Sequence, residues 1–269
     1  MDAVARFRVT GKALELWDPS TGNMSEPANF RVVNGVTEVP IHFDPAGSTF
    51  VVFRKAGTPQ SAWDGNFIVP KNLKVMLNVE GPWLVRFPSG KQAPESITLE
   101  KLISWTDHQN DGVKYFSGTA TYSTTFNWTM GGSTELPVVL DLGKVRNMAV
   151  LKLNGKTLGT LWKPPWCMDV SDALVEGKNE LEIDITNLWA NRLIGDEKLH
   201  PDTTYKYGPG RLTTLGSMKT IPEWVQNGGK SPVGRTTYIP YWFYAGTESL
   251  FESGLIGPVQ LKKFNLKEN

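Results

Sequence analysis

The sequence is poor in cysteine and has no excess of charge. Cys167 is the single cysteine among 269 residues. One thiol excludes an internal disulfide framework and a cysteine-rich zinc site, because both need several cysteines. Lys and Arg number 28 against 27 Asp and Glu, which gives a net charge of +1. A chain without a basic excess lacks the electrostatic field that attracts a phosphate backbone, so we expect no nucleic-acid partner.

Long hydrophobic runs are also absent. No apolar segment reaches the roughly 18 residues of a membrane-spanning helix. The N-terminal stretch MDAVARFRVTGKALELW lacks the apolar core of a signal peptide. We therefore expect a soluble chain with no membrane partner and no signal peptide of its own. Localisation is left open, since a longer periplasmic or secreted parent protein would carry its signal elsewhere.

Several catalytic frameworks are missing from the sequence. A TIM barrel needs eight strand and helix units over about 250 residues, and long amphipathic helices are scarce here. The G-x-S-x-G elbow, the P-loop and the G-x-G-x-x-G turn do not occur. Their absence argues against an α/β-hydrolase and against a nucleotide- or dinucleotide-binding protein. The three histidines, His42, His108 and His200, are not at metal-ligand spacing, so we expect no transition-metal cofactor.

Short runs of alternating polar and apolar residues dominate what is present. VTEVPIHF, TATYSTTFNW and NELEIDIT each place apolar residues on one face, as in half-buried strands. Asn154-Gly155 lies between two such runs and predicts a two-residue hairpin turn. The pattern predicts an all-β fold of the sandwich type.

The segment KAGTPQSAWDGNFIVPK, residues 55–71, is rich in Gly, Pro and polar residues and predicts a domain boundary. We expect a small β-sandwich domain at 1–58, which is incomplete if the chain is a fragment. A linker would follow at 59–71 and a larger β-domain at 72–269.

Ten tryptophans are the compositional excess. In WKPPW the two prolines stiffen the backbone, so Trp162 and Trp166 would be displayed at fixed angles. An aromatic face suits the apolar C–H face of a pyranose. The alternative is an aromatic-proline corner that closes one end of the sandwich.

The stretch ITNLWANRLIGDE follows a strand whose alternation breaks after Ile185. We expect a loop in which amides, an indole and a guanidinium converge on sugar hydroxyls or a uronic acid carboxylate. The four residues are Asn187, Trp189, Asn191 and Arg192. The alternative is that Arg192 pairs with Asp196 or Glu197 and only fixes the loop.

Four carboxylates are candidates for acid and base catalysis. Asp196 and Glu197 are adjacent and would point apart on extended backbone. Glu223 stands beside Trp224, which could desolvate it and raise its pKa. Asp107 stands close to Trp105, and with Asn110 and Asp111 it also offers part of a structural calcium shell. The alternative for these last residues is a solvated turn.

A resemblance to a known family rests on four strings: ISWTDHQNDGVKYFSGTATY, LNGKTLGTLWKPPW, ITNLWANRLIGDE and ESGLIGPVQL. They resemble the C-terminal β-sandwich region of family 106 α-L-rhamnosidase-type glycoside hydrolases. The similarity to the jelly-roll sugar-binding domain of family 2 β-galactosidases and β-glucuronidases is looser. The resemblance implies a galactose-binding-like jelly-roll β-sandwich at 72–269, packed with a smaller N-terminal β-sandwich.

In that family the catalytic carboxylates belong to a separate barrel, which this chain lacks. The resemblance carries over to sandwich positions that we expect to bind sugar: Trp105, Trp162, Trp166, Asn187, Trp189, Asn191 and Arg192. Our leading hypothesis is a carbohydrate-binding unit that supports a catalytic barrel of the same parent chain. A stand-alone exo-glycosidase using two of the four carboxylates, and a purely structural domain, are the alternatives.

Overall fold

A computed structural model of the protein describes residues 1–27, 30–56, 73–129, 137–201, 221–238 and 244–264. The chain divides into two compact units. The smaller contains Met1–Leu73, and the larger consists of Lys74–Trp162 and Trp166–Lys263. The linker predicted at 59–71 lies outside the described residues.

The smaller unit contains six described strands in two antiparallel sheets. The strands are β1 (Asp2–Phe7), β2 (Lys12–Trp17), β3 (Met24–Ser25), β4 (Arg31–Val33), β5 (Val36–His42) and β6 (Phe50–Ala56). One sheet has the order β1-β5-β4 and the other β3-β2-β6.

The core of this unit forms around strand β5. The predicted alternation is present, since Val39 and Ile41 are buried and contribute to a cluster with Leu14 and Phe30. The ring of Phe7 packs against that of Phe53 with 5.3 Å between centroids. Four buried hydrophobic residues among those described make a thin core, as expected for a domain of this size.

The larger unit contains twelve described strands: β7 (Leu73–Asn78), β8 (Trp83–Arg86), β9 (Ser96–Leu99), β10 (Thr119–Trp128), β11 (Val138–Asp141), β12 (Lys144–Arg146), β13 (Met148–Leu153), β14 (Lys156–Leu161), β15 (Cys167–Asp169), β16 (Gly177–Thr186), β17 (Gly254–Gly257) and β18 (Gln260–Phe264). A six-stranded sheet has the order β14-β13-β16-β10-β8-β9. A four-stranded sheet has the order β15-β11-β18-β7, and β12 pairs with β17.

Strands β10 and β16 form the centre of the six-stranded sheet. They pair antiparallel along their full length, with Tyr122 opposite Ile183 and Ala120 opposite Ile185. Both isoleucines are fully buried, because period-two alternation places every second side chain on one face. The predicted strands at TATYSTTFNW and NELEIDIT are therefore confirmed, as is the all-β fold class.

The predicted hairpin joins β13 to β14. Asn154 and Gly155 both have positive φ, 50° and 81°, as a type I′ turn requires. The Asn154 amide also donates to the carbonyl of Ala173 and to Oδ1 of Asn179. This prediction is confirmed.

Among the described residues, four helical segments interrupt the strands. A 3₁₀ turn spans Trp105–Asp107, and three α-helices follow: α1 (Asp111–Lys114), α2 (Ala190–Leu199) and α3 (Glu223–Gln226). The prediction of a loop at 187–192 is wrong for its second half, since Asn191 and Arg192 lie in α2. No helix among the described residues is long and apolar enough to cross a membrane.

Candidate functional site

A pocket of about 350 Å³ lies where strand β16 ends and helix α2 begins. Its volume is within the range of small-molecule sites. All of its lining residues belong to the larger unit. The side chains with most solvent exposure are Arg146, Asn147, Leu188, Phe251 and Glu252.

Asn187 fixes the base of this pocket by joining three chain segments. Its amide nitrogen donates to the Phe116 carbonyl at 2.8 Å and to the Ser253 hydroxyl at 2.7 Å. Its Oδ1 accepts from the Gly118 backbone N–H at 2.9 Å. Both amide N–H groups are thus engaged within the protein, so Asn187 positions the pocket.

Asn191 holds the aromatic wall of the pocket from the first turn of α2. Its Nδ2 donates to the Phe251 carbonyl at 2.6 Å, and its Oδ1 accepts from the Phe251 backbone N–H at 2.9 Å. The Phe251 ring is 54% exposed. It packs edge-on against the Tyr244 ring, with 6.2 Å between centroids. An exposed aromatic face is therefore held at a fixed place beside polar groups.

Charged groups form one side of the same pocket. Glu252 accepts from Lys144 Nζ at 2.6 Å and from Arg146 Nη2 at 3.1 Å. Two hydrogen bonds, the one from Lys144 having the larger effect and the one from Arg146 the smaller, hold the pKa of the Glu252 carboxyl below its usual value. Lys144 and Arg146 flank the buried Val145 on β12, so strand alternation places both cations on one side.

Arg192 and Asp196 face away from solvent and do not line this pocket. Arg192 Nη2 lies 2.7 Å from Asp196 Oδ1, and the two side chains are 5% and 0% exposed. Asp196 Oδ2 also accepts from the backbone N–H groups of Thr236 and Thr237, at 3.0 and 2.8 Å. The expectation of a sugar-contacting Arg192 gives way to the alternative, an Arg192–Asp196 pair that fixes local structure.

The other carboxylate candidates lie on separate elements. Glu197 Oε1 lies 2.6 Å from Nη2 of the buried Arg235. Asp107 ends the 3₁₀ turn and Glu223 begins α3, and both are exposed. Asp196 and Glu197 lie in α2, so the alternation of an extended strand does not apply to them.

The calcium candidates lie around the start of α1. Asn110 caps this helix, since its Oδ1 accepts from the Val113 backbone N–H at 3.3 Å. Asp111 is the first residue of α1. In the described part of the chain, no group of three or more His, Cys, Asp and Glu residues is placed to hold a metal ion.

The predicted tryptophans fall into two groups. Trp105 is 1% exposed and stacks on Tyr122 with 6.1 Å between centroids. Trp105 is the buried residue of a 3₁₀ turn, and a ring enclosed in the core cannot contact a sugar. Trp166 is half-buried and packs against the core. Trp162 and Trp189 are 57% and 69% exposed, and Trp189 directly precedes α2.

Sequence reasoning missed most of the pocket's solvent-facing groups. Arg146 and Asn147 come from the β12–β13 junction, and Phe251 and Glu252 precede β17. The pairing of β12 with β17 brings these segments together. A local signal did exist, since Arg146-Asn147 separates two short alternating runs.

Comparisons with known proteins show similarity to parts of longer chains. Residues 103–216 match the family described as "Glycosyl hydrolase 2 galactose-binding domain-like". A Formosa agariphila protein named "Putative beta-glucuronidase" is 40% identical over 194 residues, which cover 71% of this chain and 16% of that protein. A rhamnosidase structure from Novosphingobium sp. PP1Y has a TM-score of 0.72 and 35% identity, and the match covers 97% of this chain and 21% of the rhamnosidase.

The chain therefore spans about one fifth or less of the length of these two relatives. The predicted resemblance to rhamnosidase-type and family 2 glycoside hydrolases is confirmed, and so is the galactose-binding-like β-sandwich. The larger unit of this protein contains a galactose-binding-like domain of the kind associated with glycoside hydrolases.

Proposed function

We propose that this chain is a carbohydrate-binding unit of a glycoside hydrolase, with its sugar site in the pocket between β16 and α2. The observation that supports this most is the exposed Phe251 ring, which Asn191 holds beside Asn147 and Arg146. An aromatic ring packs against the apolar C–H face of a pyranose. Amide and guanidinium groups take its hydroxyls.

We also propose that the unit supports a catalytic domain instead of performing hydrolysis itself. Asp196 is fully buried in an ion pair and Glu197 binds Arg235, so neither is free to act as an acid or base. The short span of this chain relative to its relatives is consistent with catalysis residing elsewhere in a longer protein. The names of those relatives make β-glucuronides and rhamnosides the first sugars to test.

Isothermal titration calorimetry with methyl glycosides tests the site. Phe251→Ala removes the aromatic platform and should abolish most of the affinity. Phe50→Ala is the matched control, because Phe50 is similarly exposed at 59% but lies in the smaller unit. Equal binding by both variants, or no binding by the unaltered chain, would contradict the proposed site.

The supporting role is tested separately by incubating the chain with aryl α- and β-glycosides. We expect no chromophore release under conditions in which methyl glycosides bind. Turnover that persists after repeated purification and disappears in Glu223→Gln or Asp107→Asn would instead support a stand-alone glycosidase.

A further inference from the structure

Charge is unevenly distributed around the proposed sugar pocket. Arg146 and Lys144 both contact the single carboxylate of Glu252. Two cations and one anion leave this cluster with a net charge of +1. Surface ion pairs contribute little to stability. A contribution to folding therefore does not account for this cluster of charges.

The guanidinium of Arg146 can engage a second anion. An arginine has five N–H donors in a planar fork that matches a carboxylate. The described bond to Glu252 uses Nη2 alone. The Arg146 side chain is 40% exposed and lines the pocket. A ligand carboxylate placed there would bring the charge of the cluster from +1 to zero.

The rest of the pocket selects for a ring-shaped ligand over a small inorganic anion. The edge-on pair of Tyr244 and Phe251 offers apolar area, and Asn147 offers an amide donor and acceptor. Phosphate or acetate would leave the aromatic wall without a partner. A neutral sugar would pack against the aromatic wall but would bring no anion to balance the excess positive charge.

We propose that this pocket takes a sugar that carries a carboxylate, such as a hexuronate, with the carboxylate bound by Arg146. This inference rests on the sugar binding proposed above and adds the class of sugar. The carboxylate accepts from the Arg146 fork, the pyranose ring lies against Phe251, and Asn147 contacts ring hydroxyls.

A matched ligand series isolates the carboxylate. Methyl glucuronide, methyl glucuronamide and methyl glucoside share one ring and differ at C6 in charge or size. Because a hydrogen bond to a charged group contributes more than one between neutral groups, we expect the glucuronide to bind about tenfold more tightly than either neutral sugar. Added salt should weaken the binding of the glucuronide alone.

Two arginine variants assign the effect to a residue. Arg146→Gln should lower the affinity for the glucuronide much more than the affinity for the glucoside, so that the preference is lost, and Arg146→Lys should restore part of the preference. Arg86→Gln is the control, because Arg86 is exposed on β8 outside this pocket. Thermal unfolding of each variant checks that the fold is intact.

The outcomes separate this inference from the proposed function. If the unaltered chain binds all three sugars equally, the site takes sugars but the acidic class is wrong. If Arg146→Gln keeps the preference, the carboxylate binds elsewhere and the assignment to Arg146 is overturned. If no sugar binds, the proposed function fails together with this inference.

Discussion

Arg192 and Asp196 form a buried ion pair one helical turn apart in α2, with 2.7 Å between Nη2 and Oδ1. Arg192 Nη1 also donates to Gln92 Oε1 at 2.9 Å, and its guanidinium carbon lies 5.9 Å from the Tyr115 ring centre. Asp196 in turn accepts bonds from Thr236 and Thr237. The pair thus joins α2 to three segments distant in sequence.

Loss of the Asp196 charge should destabilise the protein strongly. Asp196→Asn leaves the buried Arg192 without its counter-ion, which costs about 3–5 kcal/mol when one partner of a buried pair is removed. Urea unfolding followed by circular dichroism measures this difference. Asp107→Asn is the control, because Asp107 is exposed and its replacement should change stability by less than about 0.5 kcal/mol. Equal midpoints for the two variants would contradict a structural role for Asp196.

Two glycines with similar backbone angles should differ in their tolerance of a methyl group. Gly143 and Gly155 have φ of 64° and 81°, so alanine at either position is strained by about 1–2 kcal/mol. A Cβ on Gly143 would lie 2.5 Å from the Gly257 carbonyl, whereas a Cβ on Gly155 meets nothing within 4 Å. Gly143→Ala should therefore lower the free energy of unfolding more than Gly155→Ala. If chemical unfolding shows a larger loss of stability for Gly155→Ala, the backbone at the β12–β17 contact can shift to accept a methyl group at little cost.

Much of the fold could be predicted because strand alternation is a local property. Leu181, Ile183 and Ile185 are two residues apart and all are fully buried, and Asn154-Gly155 carries its own turn geometry. Helix α2 was missed because its buried face is not a simple apolar stripe. It buries Asn191, Arg192 and Asp196 through specific polar contacts, and no hydrophobic period signals such burial.

The candidate site was predicted less well than the fold, for a related reason. Asn187 and Asn191 do line the pocket, yet the Asn187 amide bonds backbone groups of Phe116 and Gly118, and the Asn191 amide bonds the backbone of Phe251. The solvent-facing Arg146 and Glu252 are 106 residues apart in sequence. Residue type alone does not separate an amide that positions a pocket from one that faces a ligand.

Alkaline pH should destabilise the protein through Tyr122. Burial raises the pKa of its phenol well above the usual value, while the Leu255 N–H donates to its oxygen at 3.2 Å. The unfolded chain ionises near the ordinary pKa of about 10. Above that pH the unfolded state binds fewer protons than the folded state, so stability falls as pH rises, by up to about 1.4 kcal/mol per pH unit for one group.

Tyr122→Phe isolates this contribution. At neutral pH the variant should be less stable by about 1 kcal/mol, since the Leu255 N–H loses its acceptor. The stability difference between the two proteins should shrink above pH 10. At that pH only the unaltered protein loses stability through ionisation of Tyr122 in the unfolded chain. Denaturant unfolding at pH 7, 9 and 11 measures both curves, and a gap that stays constant across this range would rule out Tyr122 as the source.

Trp105 and Trp189 should respond oppositely to replacement although both were predicted to contact sugar. Trp105 is 1% exposed among Phe87, Phe116 and Tyr122, so Trp105→Ala should cost about 3–5 kcal/mol of stability. Trp189 is 69% exposed, and Trp189→Ala should change stability by less than about 0.5 kcal/mol. If Trp189 contacts the ligand, its removal lowers sugar affinity in calorimetry with no change in the unfolding midpoint. Trp105→Phe keeps part of the core packing and should bind sugar as the unaltered chain does, whereas a loss of affinity in that folded variant would restore Trp105 as a contact residue.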